Sequence, residues 1–183
     1  MARMVIDGFG QVELNNVAFR RDGRIEAQCA LDSAAFTSNV PCENGMILRV
    51  KKAEHKITFA DASAANQLYA LNYTSEHMYD ERKPGLKNFK LVSAAVGEDF
   101  YPRVGYLAAG DLWTTNCVDL GSYAAFASAA AVLTNGALYA SVGTQGAPVL
   151  SSAAPTTGPV LQVIKATTMP DGQDAFQFQV LSI

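Results

Sequence analysis

Charge is scarce in this sequence. Only 17% of its 183 residues are Asp, Glu, Lys or Arg, against about 25% in an ordinary soluble domain. Either Ala, Ser and Thr fill an otherwise normal surface, or other subunits cover part of it, since obligate interfaces exclude Lys and Glu. Basic residues are not in excess: the formal net charge is −3. That is the wrong sign for a domain whose main task is neutralising phosphates, so nucleic acid is not an expected partner. Long apolar runs are missing as well. No stretch has the length a bilayer span requires, and Met1 to Asp7 lacks a continuous apolar core, so the sequence predicts a soluble, unexported chain with no membrane partner.

The residues that usually carry chemistry are equally thin. The three cysteines, Cys29, Cys42 and Cys117, are odd in number and far apart, which predicts free thiols in a reducing cytosol rather than a disulfide framework. The two histidines, His55 and His77, lie in different polar tips, and no C-x-x-C pair exists, so no metal is expected. A Cys117–His77 pair is formally possible, but Cys117 sits in an apolar strand pattern, where inert buried thiols are commoner. There is no G-x-S-x-G elbow. Gly8-Phe9-Gly10 lacks the third glycine and the following helix of a dinucleotide fingerprint. Glu98 and Asp99 are adjacent, so on a strand they would face opposite sides. The expectation is a protein with no cofactor and no enzymatic activity.

What the chain does contain is a repeated unit of turn and strand. In Val104 to Val118 an apolar run meets Gly110 and resumes as an alternating run. Asn44-Gly45 before Met46 to Val50, Asn135-Gly136 before Ala137 to Val142, and Asp171-Gly172 before Gln173 to Val180 repeat it. Each places a glycine where φ can turn positive just ahead of a period-two strand. The fold class this predicts is mainly β: a compact antiparallel β-barrel or sandwich with one short Ala-rich helix and long loops, forming a single β-rich domain over 1–183.

Residues 1–14 read as an N-terminal arm or an edge strand. Asp22-Gly23 reads as a hairpin turn, with Arg20 and Arg21 solvating it. Ile25 to Leu31 alternates as a strand, with Ile25 and Cys29 on its apolar side. Lys51 to Lys56 is a polar hairpin tip, and Gln67 to Tyr73 a strand. The helix is expected from an N-cap at Ser122 through Leu133, with Thr134-Asn135-Gly136 as its stop. Gly143 to Pro159 is a long loop, and Val160 to Thr167 pairs with Ala175 to Leu181.

Thr74 to Asn88, TSEHMYDERKPGLKN, is too polar for a core and is expected to be a long exposed loop, either a contact loop or a solvated, mobile connection. Its Tyr79, Arg82, Lys83 and Lys87 are the candidate partner-binding residues, because Tyr and Arg bury large areas while keeping a hydrogen-bonding tip. Trp113 with Tyr106, Tyr101 and Tyr79 is a candidate sugar platform, although aromatic residues in strands mostly serve a core.

Taken together, the low-charge Ala/Gly/Thr-rich composition, the start MARMV, VPCENGMILRV, the EHMYDERKPGLKNF loop, VGYLAAGDLWTTN and the final strand pair resemble, in a general way, the head decoration (cement) and auxiliary capsid proteins of tailed bacteriophages. The resemblance implies a structural virion protein, made in the host bacterial cytoplasm. It would bind the major capsid protein in many copies, often as a homotrimer, and stabilise the shell. The alternatives are another virion subunit, of tail or fibre, and a carbohydrate-binding β-module.

Overall fold

The computed structural model describes residues 9–37, 40–64, 67–74 and 101–183. They form a mainly β fold of two six-stranded sheets, stacked sandwich-like, with neither sheet closed into a barrel. The first sheet has the order β1-β8-β12-β11-β9-β10. Its strands are β1 (Val12–Asn16), β8 (Leu112–Thr115), β9 (Tyr139–Val142), β10 (Pro148–Ser151), β11 (Val160–Thr168) and β12 (Asp174–Ser182), every neighbouring pair antiparallel. The second has the order β2-β7-β6-β4-β5-β3. It consists of β2 (Ile25–Glu26), β3 (Ala30–Leu31), β4 (Ile47–Lys51), β5 (Lys56–Phe59), β6 (Ala70–Asn72) and β7 (Val104–Tyr106). Its one parallel pairing joins β3 to β5.

Period-two alternation builds the first sheet. On β11 and β12 the side chains of Leu161, Val163, Phe176, Phe178 and Val180 are buried, while Gln162, Gln177 and Gln179 between them are half-buried. Across the strands Leu14, Trp113 and Phe178 stand in register, with Trp113 wholly buried. Ile47 and Leu71 of the second sheet reach the same core. Their neighbours Leu48 and Ala70 are equally buried. They face the other way, into a second cluster with Cys29, Leu31, Phe36, Cys42 and Met46. The second sheet is thus covered on both faces, which is why β4 and β6 contain consecutive buried residues where a half-exposed strand would alternate.

All four turn glycines, Gly45, Gly110, Gly136 and Gly172, have positive φ and lead into β4, β8, β9 and β12. At Gly45 there is a second demand: a Cβ would stand 2.1 Å from Thr115 Oγ1 of the opposite sheet. Val12–Asn16 is an edge strand, one of the two readings open for the N-terminal region.

Four expectations change. Gly143 to Pro159 is not one long loop: Pro148–Ser151 within it is strand β10, paired antiparallel with β9. The Ala-rich helix, α2, is only Ala129–Thr134, capped by Ser128, whose side chain accepts from Ala131 N. Before it, Gly121–Tyr123 forms a short 3-10 turn that buries Tyr123, and the Tyr123 hydroxyl donates to Gly136 O at 3.3 Å, so the chain cannot run straight from Ser122. Asp22-Gly23 is not a hairpin. It ends a helix the sequence reading missed, α1 (Ala18–Asp22), with Gly23 as the left-handed cap at φ 69°; the same dipeptide serves either purpose. Finally, Ile25 is exposed and Glu26 buried, the reverse of the expected phase. Glu26 Oε1 accepts from Ala27 N and Gln28 N, which breaks the run into β2 and β3.

Helix α1 has no capping side chain of its own. The buried carboxylate of Asp111, from the turn before β8, supplies the missing acceptor: Ala18 N donates to Oδ1 at 2.6 Å and Ala108 N to Oδ2 at 2.8 Å. Phe19 then lies flat on β7, over Gly105, where a Cβ would stand 2.1 Å from its ring. Replacing Gly105 by Ala therefore forces a buried ring aside, and we expect a loss of about 2–3 kcal/mol. Asp111→Ala leaves two amide donors without acceptors, for roughly 2–4 kcal/mol. Urea unfolding followed by tryptophan fluorescence measures both, and a change under about 0.5 kcal/mol in either variant would contradict this account of α1.

Candidate functional site

Two groups of charged side chains stand out among the described residues. One is an ion-pair network over the second sheet. Lys52 Nζ donates to Glu26 Oε2 and lies 5.8 Å over the Tyr106 ring, while Lys51 and Lys56 both reach Asp32, at 3.4 and 3.6 Å. The Lys52 ammonium holds the Glu26 carboxyl below its usual range; burial opposes this, and the Gln28 and Ala27 amides assist. Burial works to raise Asp32, but the Ala34 amide and the two lysines outweigh it and hold that carboxyl low. These groups clamp the β2–β3 segment to the β4–β5 hairpin, whose tip carries the exposed His55 at φ 51°. Every carboxylate here already has its donors, which is the arrangement of a structural network.

The second group is cationic, exposed and without an ion pair among the described residues. Arg20 from the last turn of α1 and Arg103 from the entrance to β7 line a cleft of about 520 Å³ with Val12, Leu14, Ile25, Asn44 and Tyr73. Neither guanidinium forms an ion pair with a described residue. Both lie close enough to the Tyr73 hydroxyl to act on its titration. Burial nevertheless dominates and pushes Tyr73 above the usual tyrosine range. The Asn44 amide donates to Thr74 O at 2.9 Å, which leaves its Oδ1 buried without a hydrogen-bond partner among the described residues.

The back wall of the cleft is cross-linked by hydrogen bonds. Tyr73 N donates to Arg103 O at 3.1 Å and Arg103 N to Thr74 Oγ1 at 2.9 Å. The Thr74 hydroxyl is held by the fully buried Asn72 at 2.7 Å, and Asn72 Nδ2 by Glu43 O at 2.8 Å. Segment 75–100 leaves and returns at this cross-linked stem. The sequence-predicted contact residues Tyr79, Arg82, Lys83 and Lys87 belong to that segment and lie outside the described residues, as do His77, Glu98 and Asp99.

Other sequence candidates are placed plainly. Trp113 is in the core and offers no face to a sugar; Tyr101 is exposed, and Tyr106 is half-buried beneath Lys52. The three thiols are unpaired. Burial pushes Cys42 well up and Cys117 up to about 12, the nearby Glu43 carboxylate adding to both. Cys29 is raised too, by burial first and then by Glu26. None is a thiolate nucleophile at neutral pH. Sequence reasoning passed over the cleft because Arg20 and Arg103 are far apart in the chain and each sits beside an ordinary turn signal. No family model matches the chain, and no curated protein or solved structure matches it. Among the described residues no helix is long and apolar enough to cross a membrane.

The Glu26–Lys52 pair gives a pH dependence of definite sign. Its carboxyl titrates lower in the folded chain than its free value of 4.5. The stability it contributes is therefore complete above that pH and is lost as the pH falls through the lower folded value. Glu26→Gln should cost about 1–3 kcal/mol at pH 7 and should flatten the fall in stability below pH 4.5. Urea unfolding from pH 7 to pH 3 checks this, and a variant with an unaltered acid profile would overturn it.

Proposed function

We propose that this protein works by contact alone, as a structural virion subunit that binds the major capsid protein and stabilises the shell. The observation that carries the reading is the Arg20–Arg103 cleft. Guanidinium groups stay charged at every physiological pH, and the neighbouring Tyr73 is held protonated by burial. Such a site can hold an anionic group against the aliphatic wall of Val12, Leu14 and Ile25, but it has no group poised to move a proton near neutrality.

The surface supports the same reading. Leu138 and Ile164 are 48% and 42% exposed. Leu138 stands just before β9 and Ile164 on β11, where Val163 N donates to Leu138 O and a bulge lies at Ile164. Large aliphatic side chains left in water on a charge-poor chain suit a surface that becomes covered. A cement protein stabilises the assembled state by binding it in preference to the free subunits, and many simultaneous attachments multiply modest interfaces. Self-association, as a homotrimer, belongs to the same proposal. So do Tyr79, Arg82, Lys83 and Lys87, which lie in the sequence between Thr74 and Arg103 of the cleft stem. A carbohydrate-binding module is the less favoured reading, because Trp113 is enclosed in the core.

Sedimentation with preformed shells that lack this protein tests the proposal. Saturable co-sedimentation is expected, and the double replacement Tyr79→Ala with Arg82→Ala should weaken it by roughly 2 kcal/mol or more. Absence of co-sedimentation, with the protein retained instead on a glycan array, would establish the sugar-binding alternative in its place.

A further inference from the structure

We propose that the Arg20–Arg103 cleft binds a peptide segment of a partner protein in which a carboxylate side chain stands next to a large aliphatic one. This rests on the contact reading above and names the chemistry the cleft recognises. Four features of the site select that occupant.

The first is two guanidinium groups over one cavity, neither paired with a carboxylate among the described residues. Each presents a planar fork of donors that matches a carboxylate. The described carboxylates on the elements around the cleft are engaged elsewhere or point away. Asp22 lies 3.7 Å from Arg24, Glu43 accepts from Gly10 N, and Asp111 holds Ala18 N and Ala108 N. Glu13 lies between Val12 and Leu14 on β1 and so faces the other side of the strand.

The second is the floor. Val12, Leu14 and Ile25 make it aliphatic, and Ile25 is 39% exposed there although a one-residue change of phase would have buried it. A bare phosphate would satisfy the arginines and leave this surface in water, whereas an aliphatic side chain beside the carboxylate covers it.

The third is Asn44, a lining residue whose amide donates to Thr74 O and whose Oδ1 has no hydrogen-bond partner among the described residues. An acceptor oxygen beside the cleft favours an occupant that brings a donor, such as a peptide N–H, over one with anionic oxygens alone. The fourth is the lack of an exposed ring. Tyr73 is 8% exposed, with its face against Phe19 at 5.2 Å, so no aromatic platform is presented for a sugar.

The test uses the full chain, ¹⁵N-labelled, titrated to about 10 mM, because one carboxylate and one or two aliphatic side chains give affinities of order 1 mM. The probes are acetyl-Leu-Glu-Leu-amide, its Leu-Gln-Leu counterpart, hexanoate and inorganic phosphate. The glutamate peptide should shift the Arg20 and Arg103 Nε–Hε signals and the Asn44 side-chain amide together, and bind about tenfold or more tightly than the glutamine peptide. Arg20→Gln and Arg103→Gln, both at exposed positions, should each weaken it about as much, with the rest of the spectrum unchanged to show that the fold is intact.

Equal binding of the two peptides would overturn the proposal, as would shifts that survive both arginine replacements. Hexanoate binding as tightly as the peptide would assign the cleft to a free carboxylate, and tighter binding of phosphate would assign it to a phosphate group; either result rejects the peptide. Shell co-sedimentation is a separate measurement. Peptide binding with no shell binding would remove the capsid reading and keep the cleft, and the reverse would remove the cleft and keep the capsid reading.

Discussion

The buried carboxylate of Asp111 is the interaction on which the cleft end of the molecule depends. It takes the first amide of α1 and the amide of Ala108, and its own backbone joins β12, with Val180 N donating to Asp111 O at 2.9 Å. One residue thus ties a five-residue helix, a tight turn and the central strand of the first sheet. A helix that short has no independent stability, since nucleation is unfavourable and most helices below about 12 residues are marginal in water. It exists because Asp111 caps it from outside and because Gly105 lets Phe19 lie on β7. Arg20 is the next residue along, so its position in the cleft follows from these two contacts.

The layered burial explains where the cleft sits. The inner face of the second sheet packs on the first, and its outer face is covered by residues between Cys29 and Met46, with Phe36 against Phe59 at 4.6 Å. The Glu26–Lys52 and Asp32–Lys51–Lys56 contacts hold the β2–β3 segment at the margin of this cover. What stays open is the end where β1 and β2, each at the edge of its sheet, approach the pinned stem at Thr74 and Arg103. Edge strands expose backbone groups and the side chains flanking them, and at this end they contribute the aliphatic residues Val12, Leu14 and Ile25.

The strands and their turns were legible because local chemistry decides them. A glycine followed by alternation favours a turn into a strand, and Gly45, Gly136 and Gly172 after Asn or Asp, with Gly110 after Ala109, all lead into strands. The helices were less legible because two serines could cap the Ala-rich run. The choice of Ser128 over Ser122 was made by the distant burial of Tyr123, which no local window contains. Asp22-Gly23 was ambiguous between hairpin and helix end for a similar reason: the deciding acceptor, Asp111, belongs to another turn. The cleft was the least legible part. Its arginines come from α1 and from the stem before β7, and only tertiary contacts bring them to one cavity. The loop with Tyr79 and Arg82 was chosen for its composition, and the described structure contributes the stem that carries it.

On the proposed reading this protein recognises by shape and fixed charge, and its specificity rests on the precision with which Arg20 and Arg103 are held at one cleft. That precision comes from the Asp111 cap. Native-state hydrogen exchange at the Ala18 amide measures it directly. If Asp111 anchors α1, this amide exchanges only through global or near-global unfolding, with protection comparable to that of Trp113 and Phe178 in the sheet. Exchange at the rate of a frayed helix N-terminus, while the sheet amides stay protected, would show that α1 is loosely attached and that the cleft is not the preorganised site described.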